Sequence, residues 1–253
     1  MPNNFKRIAI VTGATSGIGE ATARKFVAAE YGVIGTGRNA QKLEQLQQEL
    51  GLAFRGIAGD ASDEQLLDSL FTAAQTHFGK TPDIVVANAG RGLGGSVKDA
   101  DLEAFTEVLK INVSGTLALL QKAARQMLVS HAPLYPKATA DIIIVGSVVG
   151  RNVSPFSAVY GASKFAVHGL AEGLRRELGP QGIRVSLVEP GLVISGFQAE
   201  AGYSDEMVQN FKDKFGPLLI SEEVAEAIYF MVSQKPHVHI SDIVVRPTRQ
   251  DYP

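Results

Sequence analysis

Apolar residues come along this chain in short blocks, separated by stretches of helical pattern. "RIAIVT" (7–12), "GVIGTG" (32–37), "LAFRGIAG" (52–59), "DIVVAN" (83–88), "DIIIVGS" (141–147), "IRVSLVEP" (183–190) and "SDIVVRP" (241–247) read as strands. Most are apolar at nearly every position, as strands covered on both faces are. Between them, 17–29, 39–50, 62–78, 99–130 (whole or broken), 157–178 and 222–233 read as helices. This alternation predicts an α/β fold: a doubly wound, seven-stranded parallel sheet in a three-layer α/β/α sandwich, one domain over 1–253. "HAPLYPKATA" (131–140) reads as a loop. Residues 196–220 break the rhythm and are expected to line or cover a substrate pocket. In such folds ligands sit beyond the carboxyl ends of the strands.

Composition narrows the function classes. The 253 residues are 45% hydrophobic and 20% charged, an ordinary globular balance. A net charge of −2 without a long basic run argues against a nucleic-acid or membrane-surface partner. The absence of cysteine excludes disulfides and thiolate metal sites. "MPNNFKRIAIVTGATSGIG" passes straight into a strand and a glycine loop, without the apolar region of a signal peptide. No apolar run approaches the ~20 residues of a membrane span, so a cytoplasmic protein is expected.

"TGATSGIGE" (12–20) joins the first strand to the first helix, with Gly13, Gly17 and Gly19 spaced G-x-x-x-G-x-G. Glycines there let backbone N–H groups approach a pyrophosphate, and the helix N-terminus adds partial positive charge. A tight turn without a ligand is the plainer reading. Position after the first strand of a doubly wound pattern favours the nucleotide. An acidic residue usually ends the second strand of an NAD site. Here Gly37 and Arg38 occupy that place. An arginine can pair with a 2′-phosphate, which favours NADP(H) over NAD; otherwise Arg38 is a solvated residue opening the next helix. Asp60 either accepts from an adenine amino group or caps the helix near Ser62.

"SAVYGASKFAVHGL" (157–170) places Tyr160 and Lys164 four apart, on one helix face. A tyrosine near pKa ~10 is a poor base at neutral pH, and a neighbouring ammonium favours the phenolate. Such a pair could protonate a carbonyl oxygen as hydride arrives at carbon, or run the reverse. Ser147, at the end of the fifth strand, could hold the substrate oxygen against Tyr160. Alone, the pair reads as a helix-surface contact; Ser147 and the glycine loop change that reading.

Together these residues resemble the short-chain dehydrogenase/reductase family, in its compact single-domain branch with a Rossmann-type fold. The resemblance rests on "TGATSGIG" (12–19), "NAG" (88–90), "IN" (111–112), Ser147, "YGASK" (160–164) and "PG" (190–191). It implies a catalytic set of Asn112, Ser147, Tyr160 and Lys164, with Tyr160 as acid/base and Asn112 helping hold a water that links Lys164 to solvent. It implies NADP(H) contacts from Gly13, Thr15, Ser16, Gly17, Ile18, Gly19, Asn88, Ala89, Gly90, Tyr160, Lys164, Pro190, Gly191 and Val193. Ser195 stands where the family more often has threonine. Arg38 and Asp60 complete the cofactor set. The implied function is hydride transfer between NADP(H) and the carbonyl or alcohol group of a small or medium-sized substrate. The alternatives are an NAD-dependent alcohol dehydrogenase and a nucleotide-sensing protein without catalysis. "VVRPTRQDYP" is similar to members acting on short hydroxy acids and simple alcohols.

Several signals have plainer readings. His168 is tempting as a proton relay, but a packed helix histidine is commoner. His237 and His239 lack a third metal ligand. Arg91 and Arg151 could lie at the site mouth and hold a substrate carboxylate or phosphate, or be solvated. "FAVHGLA" (165–171) and "VSGTLALLQ" (113–121) are nearly uncharged all round, which predicts outward apolar faces and a homodimer or homotetramer. Val167 and Leu119 are the candidate outward residues.

Overall fold

The structure is a computed structural model in which residues 5–153 and 157–252 are described. The strands are β1 (Ile8–Thr12), β2 (Gly32–Gly37), β3 (Phe54–Ala58), β4 (Ile84–Ala87), β5 (Asp141–Val145), β6 (Arg184–Pro190), β7 (Val193–Ile194), β8 (Leu219–Ile220) and β9 (Asp242–Val245). The helices are α1 (Gly17–Ala28), α2 (Ala40–Leu50), α3 (Glu64–Phe78), α4 (Leu102–Leu109), α5 (Thr116–Ser130), α6 (Ala158–Leu178), α7 (Phe197–Glu200), α8 (Asp205–Phe215) and α9 (Ser221–Val232). Seven strands form one sheet in the order β3-β2-β1-β4-β5-β6-β9, every pair parallel. The short β7 and β8 form a separate parallel pair. This is the expected Rossmann-type sheet, and each of its strands falls within its predicted run.

The pleat explains the apolar runs. Ile8 and Ile10 of β1, with Ile142 and Ile144 of β5, face a core closed by α3, α5 and α6. Their neighbours Ala9, Val11, Ile143 and Val145 face the opposite core, closed by α1, α2 and α9. Successive side chains point to opposite faces, so a strand between two helix layers is apolar at most positions, and the polar residues it does bury must be paired. The edge strands β3 and β9 are only partly buried, which is why Arg55 and Asp242 are tolerated there.

Helix boundaries set the positions of the candidate residues. Asn39 caps α2 through its Oδ1, which accepts from the Lys42 N–H at 3.0 Å. Arg38 therefore lies in the turn before α2. Asp63, not Asp60, caps α3 by accepting from the Gln65 N–H at 2.8 Å. The long pattern 99–130 is broken by a π-type turn at Lys110–Gly115 that carries Asn112. Such turns recur at functional positions because they re-aim a side chain without ending the helix. The irregular 196–220 contains α7 and α8 and is followed by α9.

One expectation is corrected. Val167 and Leu119 are each 2% exposed and belong to the core beneath α5 and α6. The large apolar residues exposed on these helices are Leu117, Leu128, Val129 and Phe165. An uncharged stretch cannot by itself say which of its residues face the sheet.

At the amino ends of the strands, away from the glycine loop, Asp141 and Arg184 are buried beside the partly buried Arg7 and Asp83. Asp141 accepts from Arg184 Nε at 2.7 Å and Nη2 at 2.9 Å, and pairs with Arg7 Nη1 at 2.8 Å. Arg7 Nε also donates to Asp83 at 2.6 Å. Buried charges persist only when paired in this way.

Candidate active site

The carboxyl ends of β1, β4, β5 and β6 open into a cavity of about 530 Å³. Gly13, Ser16, Gly17, Ile18, Asn88, Ala89 and Gly90 line its floor. Ser147, Tyr160, Lys164, Pro190, Gly191, Val193 and Ser195 line the remainder. Of the predicted site residues, Thr15, Gly19, Arg38, Asp60 and Asn112 do not line it.

The floor is a glycine cradle. Gly13 (φ +68°) and Gly17 (φ +52°) hold left-handed conformations that other residues adopt only with strain. A Cβ on Gly13 would stand 2.7 Å from Asn88 Nδ2, and one on Gly19 would stand 2.2 Å from the Gly13 oxygen. Ser16 sits at the N-cap of α1 in extended conformation, and its hydroxyl caps no backbone N–H. The helix start is therefore open toward the cavity, as an anion site requires. Thr15 lies behind the loop, against Gly37. These features fit a nucleotide pyrophosphate.

Thr12 is a structural hub that the sequence reading did not single out. Its hydroxyl accepts from the N–H groups of Asn88 (3.1 Å) and Ala89 (3.0 Å) and donates to Val86 O (3.2 Å). Asn88 Nδ2 returns a hydrogen bond to Thr12 O at 2.9 Å. The loop after β4 is thereby tied to the glycine loop after β1. A threonine directly before the first glycine was the available signal.

Arg38 and Asp60 lie outside the cavity lining, near enough for the guanidinium to act on the carboxylate. Asp60 is held below its ordinary carboxyl pKa, chiefly by the Ser62 backbone N–H and to a lesser degree by Lys110 and Arg38. Arg38 is 70% exposed and faces Glu200 of α7 at 3.8 Å. The residue is thus neither free nor part of the α2 helix. Its carboxylate partner comes from a segment whose structure the sequence left open.

At the inner end, Tyr160 is 8% and Lys164 7% exposed. Ser147 hydrogen-bonds the Tyr160 phenol. Burial pushes the Tyr160 pKa above its ordinary value and outweighs that bond. Lys164 Nζ donates to Val145 O at 2.8 Å and lies 5.8 Å from the Tyr160 ring centroid. Burial lowers the Lys164 pKa to about 8. Desolvation is the largest influence on the phenol and favours its protonated, proton-donating form.

Asn112 acts through the backbone. Its Oδ1 accepts from Arg91 N at 2.9 Å, and its Nδ2 donates to Arg91 O at 3.0 Å and to Ser163 Oγ at 3.1 Å. Ser163 Oγ in turn donates to Tyr160 O at 2.7 Å. The π-type turn thus couples the loop after "NAG" to the helix of Tyr160. Ser195 Oγ lines the cavity and accepts from Phe197 N at 3.2 Å, starting α7. Gln198 Nε2 donates to Val193 O at 2.5 Å, and Gln250 Oε1 accepts from Leu192 N at 2.9 Å. The loop after β6 is held from both sides, by α7 and by the C-terminal tail.

The two arginines separate. Arg91 lines the cavity, and its guanidinium makes no ion pair among the described residues. Arg151 is committed to Glu189 and Asp242. His168 is packed beneath the Ser147 turn, while His239 Nε2 lies 2.9 Å from Val185 O. Among the described residues no group of three metal-ligating side chains occurs, and no helix is long and apolar enough to cross a membrane.

Comparisons with known proteins place this geometry. A family model described as short chain dehydrogenase matches residues 7–205. An oxidoreductase of Staphylococcus aureus MW2 is 32% identical over 242 residues, covering 95% of this chain and 97% of the relative. The closed form of serine dehydrogenase complexed with NADP+ superposes with a TM-score of 0.87 at 28% identity, over 97% of this chain and 96% of that one. The 3-ketoacyl-(acyl-carrier-protein) reductase of Brucella melitensis complexed with NADH gives a TM-score of 0.85 at 28% identity, over 97% and 98%.

Proposed function

We infer, from the premise that this chain belongs to the short chain dehydrogenase family, that it is an oxidoreductase interconverting a carbonyl and an alcohol with NADP(H). The observation that carries this is the convergence of Ser147, Tyr160 and Lys164 on the cavity floored by the glycine cradle. A bound nicotinamide dinucleotide supplies or accepts the hydride. Gly13, Ser16, Gly17 and Ile18 hold its pyrophosphate at the start of α1, with Thr15 and Gly19 shaping the turn. Asn88, Ala89 and Gly90 form the wall beside it. Asp60 serves the adenine, Arg38 the 2′-phosphate, and Pro190, Gly191, Val193 and Ser195 the carboxamide end. Lys164 and Tyr160 hold the nicotinamide ribose.

The chain's own chemistry is proton transfer. Ser147 holds the substrate oxygen, and Tyr160 delivers its phenolic proton there as the carbonyl is reduced. Lys164 keeps positive charge beneath the phenol, so the phenolate left behind is stabilised. Asn112 orders the Arg91 loop and, through Ser163, the Tyr160 turn. Arg91 is the cavity group suited to a substrate carboxylate. Residues 196–220 are the lid over one domain, with Phe197 packing on Tyr160 at 5.5 Å between centroids.

The apolar outer face of α5 and α6, with Leu117 and Phe165 exposed, is the contact of a homodimer or homotetramer. The functional reading is tested by NADPH oxidation against aldehydes, ketones, 3-oxo acids and their esters. Turnover on at least one class is expected. NADPH binding without turnover on any of them would leave the nucleotide-sensing alternative.

A further inference from the structure

Behind Ser147 lies a cluster of buried ionisable groups that the proton transfer does not use. His168 follows Lys164 by one helical turn, and its Nε2 accepts from the Ser147 N–H at 3.4 Å. That bond requires Nδ1 to carry the ring proton, and Nδ1 faces Glu189 Oε2 at 3.8 Å. Glu189 has no exposed surface and directly precedes Pro190-Gly191. Both of its oxygens accept from Arg151, through Nε and through Nη2, the latter at 2.6 Å. Arg151 Nη2 also donates to Asp242 at 2.7 Å. The imidazole has a built seat. A Cβ on Gly146 or on Gly150 would come within 2.4 Å of the ring, so only glycine at both positions admits it.

We propose that His168, backed by Glu189 and Arg151, is a positioning residue that fixes the backbone of Ser147 and locks the serine turn to the Pro190-Gly191 loop. The proposal rests on the functional reading above. One loop would hold the substrate oxygen and the other the hydride-transferring end of the cofactor. Their separation sets the reaction distance, and displacement of about 1 Å costs roughly 100-fold in rate. A single turn of chain, 147–151, is held at its start by His168 and at its end by Glu189. The buried glutamate faces Nδ1 at 3.8 Å, and its negative charge favours the tautomer that carries the proton there.

The anchor works only with neutral imidazole, because a protonated ring has no acceptor at Nε2. The groups facing His168 are Glu189 of β6, Lys164 of α6, Arg151 of the serine turn and Asp242 of β9. Burial is the largest influence and lowers its pKa; the two cations act the same way, and the two carboxylates oppose them. His168 therefore stays neutral at neutral pH and takes up a proton on acidification. This should appear as an acid limb in kcat.

The test uses the whole chain and the variants His168→Leu and His168→Gln. Long-range 1H–15N correlation at pH 8 should show His168 as the Nδ1–H tautomer. His168→Leu should lower kcat by roughly 10- to 100-fold, while Kd for NADPH by fluorescence titration stays within about threefold. His168→Gln, whose Oε1 can accept the same N–H, should recover most of kcat and lose the acid limb. The Nε2–H tautomer, wild-type kcat in a folded His168→Leu, or equal losses in folded Leu and Gln variants would each overturn the proposal. Should His168→Leu not fold, the tautomer and the Gln variant's pH profile decide. Failure of the wild type to turn over any carbonyl overturns the functional reading instead, and the tautomer still tests the anchor.

Discussion

Tyr160 and Lys164 carry opposite burdens from the same burial. Desolvation disfavours whichever form is charged, so the phenol is pushed toward its protonated form and the ammonium toward its neutral one. A protonated phenol suits carbonyl reduction, where it is the donor. Tyr160→Phe keeps the ring and removes the proton, so kcat should fall by at least ~100-fold with NADPH binding retained. Near-normal turnover would remove Tyr160 from the mechanism. Lys164 gives a separate test through stability. Its folded pKa of about 8 lies below the unfolded value, so the unfolded chain binds more protons between pH 8 and 10. Stability contributed by this group therefore rises with pH across that window and is lowest below it, where a buried charge is retained. Lys164→Met should raise the melting temperature of the cofactor-free protein at pH 7 by a few degrees, roughly as ~1 kcal/mol does. It should also abolish most turnover. The gap in melting temperature should narrow as pH rises from about 8 toward 10; a constant gap would show that the lysine is not the titrating group.

At the scale of elements, the proposed cofactor preference is tested at the junction between β2 and α2 and at α7, which meets it. Arg38 faces Glu200 across the groove at 3.8 Å, in an exposed pair of the kind worth at most about 1 kcal/mol. A 2′-phosphate competes for the arginine with little penalty, whereas an aspartate at 38 would repel it. Arg38→Asp should weaken NADPH by about tenfold or more relative to NADH in fluorescence titrations, consistent with loss of a charge-assisted bond. Equal wild-type affinities for the two cofactors would remove the NADP assignment. The same junction shows what was legible in the sequence. Strands β1, β2, β4 and β5 could be read because burial on both faces leaves few polar positions, and β6 could be read from its remaining apolar residues although Arg184, Ser186 and Glu189 are buried in it. The cradle could be read because its glycines are demanded by backbone geometry within eight residues. Arg38–Glu200, Arg151–Glu189 and Ser147–His168 could not, since each joins segments that no local periodicity relates. Short elements escaped for another reason: α7 is a single turn, and the π-type turn at Asn112 has no pattern distinct from the helices flanking it.

Across the whole molecule, the two ends of the sheet divide their tasks. The carboxyl ends hold the cavity, while the amino ends hold Asp141 between Arg7 and Arg184. Asp141→Asn would leave both guanidinium groups short of charge, and losing one partner of a buried pair costs about 3–5 kcal/mol. Urea unfolding should show that loss while kcat of the folded fraction is unchanged; an unaltered midpoint would mean that the arginines find other partners. Assembly is the remaining property of the whole. Sheet-facing residues of α5 and α6 such as Leu119 and Val167 are buried, so glutamate there would test the core and not an interface. The outward residues are Phe165 (44% exposed) and Leu117 (49%), beside the exposed Ala162, Ala166 and Gly169 of α6. Small residues around one aromatic would let two helices approach closely, and in the proposed assembly they would pack about a two-fold axis. A glutamate at Phe165 meets its own copy or buries without a partner, at a cost on the order of several kcal/mol. Phe165→Glu combined with Leu117→Glu should split the oligomer, and activity should fall with it, because the opposite face of α6 carries Tyr160 and Lys164. Light scattering coupled to gel filtration at micromolar concentration decides the matter: a wild-type mass near 26.9 kDa, one chain, would sink the assembly, and an unchanged mass in the double variant would move the interface elsewhere.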